Sequence, residues 1–173
     1  GNGMGLWRVN HVQQQLEPIA AETIGCGVRS LLSDGRGTLY IGSEAGLFIY
    51  RNGQLERILI DPNVLSAANT INGLELDGDG LLWLATSNGL YSLALTEHKI
   101  TPYHFVVDSK HTCSYNDITR IGPMLYLATM GQGIISFDTR THKFGHYLDV
   151  DCNVISSLSS DGKEMLYVGT DGN

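Results

Sequence analysis

Cysteine is scarce in this chain: Cys26, Cys113 and Cys152 are the only three in 173 residues. They lie far apart, with no Cys-x-x-Cys pair and no histidine at a metal-ligand offset, which argues against a disulfide framework or a structural zinc site. Free thiols, buried or half-buried, are the expectation. Long apolar runs are missing too, and none approaches the roughly 20 residues that cross a bilayer as a helix. The start, Gly1-Asn2-Gly3-Met4-Gly5, has neither a basic segment nor an apolar signal core. Basic charge is also short. Eleven Lys and Arg against 18 Asp and Glu leave a net charge of −7, and no basic cluster reverses it locally. A nucleic-acid backbone or an anionic membrane surface is therefore not the expected partner.

What the chain does have is a phrase that recurs. Leu39-Tyr40-Ile41-Gly42-Ser43 returns as Leu82-Trp83-Leu84-Ala85-Thr86, as Leu125-Tyr126-Leu127-Ala128-Thr129 and as Leu166-Tyr167-Val168-Gly169-Thr170. The central aromatics are Tyr40, Trp83, Tyr126 and Tyr167, at intervals of 43, 43 and 41 residues. That is the period of four-stranded propeller blades. In the second unit, Ile71 to Leu76 reads as a first strand, Asp77-Gly78-Asp79-Gly80 as a turn and Leu81 to Thr86 as a second strand. Leu90 to Leu95 reads as a third strand and Ile100 to Val107 as an outer fourth. The first unit repeats this order. The third has a first hairpin that reads as four residues shorter, closed by Gly122-Pro123-Met124.

The expected class is all-β: one propeller segment over residues 1–173, with full blades at 26–60, 69–107 and 115–150. A split fourth blade combines 1–20, as third and fourth strands, with 152–173, as first and second. The missing initiator Met and the stop in mid-motif lead us to expect a piece of something longer. The two ends are expected either to join, across two copies of the chain if need be, or to leave strand edges open to a partner. Two-fold pairing of such protomers would close an eight-blade ring.

The run from Ile71 to Tyr91, with its apolar strand, Asp-Gly-x-Gly turn, Leu-Trp-Leu-Ala-Thr core and Gly-Leu-Tyr, resembles the two-component regulator propeller repeat. The resemblance covers essentially the whole chain, though the third unit lacks Asp-Gly-x-Gly. It implies the extracytoplasmic, periplasmic sensor region of a hybrid two-component system, whose parent protein is a sensor histidine kinase regulating carbohydrate utilisation. It further implies a glycan-derived ligand, the remaining blades of the parent chain as partners, and no catalysis in this segment. Neither a kinase phosphoacceptor helix nor a nucleotide-binding loop is visible in the sequence. Two other readings stay open: a propeller lyase or hydrolase fragment, and a purely structural, self-associating module.

Asp77-Gly78-Asp79-Gly80 lacks the acidic twelfth ligand of a calcium loop, Asn88 standing there instead, and reads as a turn. His142 and His146 belong to a polar turn and outer strand, and no metal or cofactor is expected. The aromatic series Trp7, Phe48 and Tyr91, like the Tyr40 series, reads as core packing. Loops that differ between copies remain the place for function. Those joining second to third strands carry Glu44, Asn88 and Gln132, and those joining blades carry Asn69, Asn116 and Asn153. These six form the predicted hydrogen-bonding mouth for a neutral polar ligand such as a sugar.

Overall fold

The computed structural model describes residues 6–19, 24–106, 112–148 and 154–171. Apolar alternation and Asp-Gly or Asn-Gly turns yield sixteen strands. A first hairpin comprises β1 (Leu6–Asn10) and β2 (Gln15–Ile19). The first blade is β3 (Val28–Ser33), β4 (Thr38–Ser43), β5 (Gly46–Arg51) and β6 (Gln54–Ile58). The second is β7 (Ile71–Leu76), β8 (Leu81–Thr86), β9 (Gly89–Ala94) and β10 (Lys99–Tyr103). The third is β11 (Tyr115–Ile121), β12 (Met124–Thr129), β13 (Ile134–Asp138) and β14 (Lys143–Leu148). A last hairpin holds β15 (Ile155–Ser160) and β16 (Leu166–Thr170). Each blade is an antiparallel meander in chain order, and each hairpin is a separate two-stranded sheet. The all-β propeller-blade class read from the repeat is what the chain adopts.

Successive first strands are neighbours, β3 beside β7, β7 beside β11 and β11 beside β15, and form the inner wall. Alternation along each second strand sends its side chains to opposite neighbours. In β8, Leu82 and Leu84 pack towards the first blade, whereas Trp83 and Ala85 pack towards the third. Leu6 joins Ile41 and Phe48 at one end of the series, and Ile155 and Leu158 join Ala128 and Ile134 at the other. The central aromatics Tyr40, Trp83 and Tyr126 thus face the unit that follows. Trp83 is 1% exposed, while Tyr167, in the last described hairpin, is 58% exposed. Trp7 departs from the core expectation in the same way, on an outward face of the first hairpin. The two hairpins sit at the two ends of this packing order, and among the described residues no ladder joins them.

The third hairpin differs from its sequence reading. A two-residue turn at Gly122-Pro123 lets pairing run out to Ile121 opposite Met124. Strand pairing absorbs most of the expected shortening, and the interval from Asn116 to Tyr126 is ten residues, against eleven from Asn72 to Trp83. Small residues in the second strands have a visible cause. Gly42 lies opposite Ser30 and Gly169 opposite Ser157. A methyl group at Gly42 would run into Ser30 Oγ and stand 2.9 Å from the Ile71 carbonyl of the next blade. Gly42→Ala is therefore expected to cost about 1–3 kcal/mol, read as a lower urea midpoint with an unchanged slope.

Candidate functional site

Each first strand starts on an apolar residue and then breaks its register. The irregularity falls between Val28 and Ser30, Ile71 and Gly73, Tyr115 and Asp117, and Ile155 and Ser157. Four β-bulges, one per first strand, thus fall on Arg29, Asn72, Asn116 and Ser156. A bulge leaves its extra residue outside the ladder and re-aims the side chain. Here all four line one cavity of about 400 Å3, together with Met130 and Asp171. It lies at the rim where each chain segment enters its first strand.

The bulged side chains also tie the blades together. Asn72 Nδ2 donates to the Tyr115 carbonyl at 2.7 Å and to Ser87 Oγ at 3.1 Å. Asn116 Nδ2 donates to the Ile155 carbonyl at 2.9 Å. Each amide therefore reaches the residue just before the bulge of the next first strand. Arg29 instead pairs with Glu44 at 2.8 Å. The loops of this rim are fixed by hydroxyls: Ser43, Thr86 and Thr129 donate to the carbonyls of Gly46, Gly89 and Gly133.

At the opposite end of the inner wall, Glu75, Thr119, Arg120 and Ser160 line a cavity of about 600 Å3. Glu75 meets Arg120 at 3.7 Å. Burial raises the Glu75 carboxyl above its ordinary value, with Arg120 opposing. Burial likewise raises that of Asp117, opposed by the N–H groups of Leu158 and Ile118, which donate to it at 2.8 Å each. Among the described residues no group of three His, Cys, Asp or Glu is placed to hold a metal ion.

Of the six predicted residues, Asn116 lines the first cavity and Glu44 reaches it through Arg29. Asn69 is fully buried. It accepts from the N–H groups of Ile60 and Asp61 and donates to the carbonyls of Asp61 and Asn63, so it braces the chain between two blades. Asn88 Oδ1 accepts from Thr112 Oγ1 at 2.5 Å, and Gln132 N–H donates to Thr129 Oγ1 at 3.0 Å. Neither lines the cavity. Asn153 lies outside the described residues, as does Cys152. Arg29, Asn72, Ser156 and Asp171 escaped the sequence reading. The signal for the first two and Ser156 is a polar residue eleven before the central aromatic, directly after an apolar strand start.

No family model matches the sequence, and no curated protein matches it. The structure is similar to the extracellular domain of BT4673 from B. thetaiotaomicron, described in one crystal structure as a one component and in another as a hybrid two component system. The TM-scores are 0.78 and 0.77, at 21% and 20% identity, over 98% of this chain. It is also similar to the extracellular domain of the hybrid two component system BT3049 from B. thetaiotaomicron, with a TM-score of 0.64 at 24% identity over 83% of this chain. The chain spans 24% of the BT4673 domain and 22% of the BT3049 domain, under a quarter of their length. The WD40 β propeller domain of Doa1 matches with a TM-score of 0.65 at 11% identity, over 83% of this chain and 48% of that one. The chain therefore has the β-propeller fold, built of four-stranded blades.

Proposed function

We propose that this chain is a ligand-sensing or signal-relaying segment of the periplasmic part of a hybrid two-component sensor histidine kinase. The reading is that the parent regulates carbohydrate utilisation and that a glycan-derived ligand seats in the bulge-lined mouth, without catalysis by the segment itself. The observation that carries it is the set of four bulges delivering Arg29, Asn72, Asn116 and Ser156 to one cavity. Amide, hydroxyl and guanidinium groups on a rigid inner wall suit a hydroxyl-rich ligand. The sensory part of the reading draws on BT4673 and BT3049, which are described as extracellular domains of such systems. Among the described residues, strands β1 and β16 are each paired on one side only, and in this reading further blades of a longer chain cover them.

The test is a thermal-shift screen of the 173-residue chain against oligosaccharides, followed by calorimetry. One glycan class should raise the melting temperature, and Asn116→Ala should weaken its binding about tenfold through the lost hydrogen bonds. Turnover of the glycan would favour a lyase or hydrolase instead. Equal affinity in the variant would remove the mouth as the site.

A further inference from the structure

A second concavity lies between the first and second blades, on the rim that carries the Asp-Gly turns. Two adjoining hollows, of about 570 and 710 Å3, share Thr38, Tyr40, Arg51, Asn52 and Leu95. Tyr40 reaches into both. It is only 3% exposed, yet among the described residues its hydroxyl has no hydrogen-bond partner. Its counterpart in the second blade is satisfied, because Trp83 Nε1–H donates to Asp77 Oδ2 at 3.1 Å. In the first blade the matching turn residue is Asp34. Its Oδ1 takes the N–H groups of Arg36 and Thr38 just as Asp77 Oδ1 takes those of Asp79 and Leu81, but the phenol makes no bond to Asp34 and faces the cleft. The oxygen at the tip of this otherwise buried ring is reached by solvent, the buried unpartnered side-chain atoms among the described residues being Ser30 Oγ and Tyr115 Oη, so a ligand atom can take the place of water there. Burial also raises the Tyr40 phenol above its ordinary value, so it stays a donor at neutral pH.

Charge of both signs surrounds that hydroxyl. Arg51 Nε donates to Thr38 Oγ1 at 2.9 Å, which fixes the guanidinium while its terminal nitrogens stay uncommitted among the described residues. Arg36 and Asp79 line the same hollow, and among the described residues neither side chain has an ion pair or hydrogen bond. A simple anion would meet two guanidiniums but also the carboxylates of Asp34, Asp77 and Asp79. A neutral polyol would satisfy the phenol and leave both kinds of charge without a counterpart. We propose that this inter-blade cleft binds a small zwitterion of the α-amino acid type, its carboxylate on Tyr40 and Arg51 and its ammonium group on Asp79. This site is independent of the bulge-lined mouth and of the reading attached to it.

The experiment is calorimetry of the 173-residue chain with L-alanine and L-glutamine, and with acetate and D-glucose as comparison ligands. Saturable binding of the amino acids is expected, with acetate and glucose at least tenfold weaker. Tyr40→Phe keeps the ring and removes only the hydroxyl. It should weaken amino acid binding about tenfold while leaving the unliganded melting temperature unchanged or higher, since no hydrogen bond is lost. Asp79→Asn should weaken binding to a similar extent. No binding of either amino acid, binding of glucose or acetate at equal strength, or unaltered affinity in Tyr40→Phe would each overturn the proposal.

Discussion

Asn69→Ala is expected to lower the unfolding free energy by about 3–4 kcal/mol. The side chain sits at the end of a single 3-10 turn, Ala67–Asn69, beneath the crossover from the first blade to the second. One amide serves four backbone groups, at 2.8 Å to Ile60 N, 3.1 Å to Asp61 N, 3.0 Å to the Asp61 carbonyl and 2.9 Å to the Asn63 carbonyl. Alanine would leave the buried Ile60 N–H and three part-buried groups without their partner, and each unsatisfied buried group costs about 1–3 kcal/mol, less where water reaches it. Urea unfolding is the direct measurement. Asn69→Asp is informative beside it, because it keeps the acceptors but sets a carboxylate oxygen against the Asp61 and Asn63 carbonyls in a buried site, and it should cost at least as much as alanine. A loss below about 1 kcal/mol for alanine would mean that the crossover rearranges and finds other partners.

Trp83→Ala should cost about 3–5 kcal/mol, the range for truncating a large buried aromatic. The indole fills the interface between the second and third blades, with ring centroids 5.5 Å from both Tyr103 and Phe137. Its N–H anchors the Asp77 turn, so truncation removes packing and a turn brace together. Tyr167→Ala is the matched comparison at the same repeat position. Being 58% exposed, Tyr167 should lose no more than about 1 kcal/mol on truncation. Chemical denaturation of the two variants measures the difference directly. Equal losses would show that position in the array does not govern the worth of the repeated aromatic.

The sequence made the blade order legible because the determinants are local and periodic. Leu-aromatic-aliphatic-small-hydroxyl marks every second strand, and Asp-Gly marks three of the four first turns. The inner wall was harder to read. A bulge adds one residue to a strand, so strict alternation counted through Ile71-Asn72-Gly73-Leu74 misassigns faces after Asn72. Arg29, Asn72, Asn116 and Ser156 are also of three residue types, and no single letter flags the position. Asn69 shows the opposite failure. A polar residue in a connecting loop reads as a ligand group from sequence, whereas here the crossover folds over it and uses all its hydrogen-bonding capacity inside the protein. Tyr40 reads as an ordinary core aromatic, and only the missing partner of its hydroxyl distinguishes it from Trp83.

Each apolar cluster joins two neighbours, and none joins three. Any displacement imposed on one blade must therefore cross the interfaces on either side in series, as load passes along a row of couplings. The interface that yields first limits what the far end receives, so the side chains that set transmission along this chain are those between blades rather than those within them.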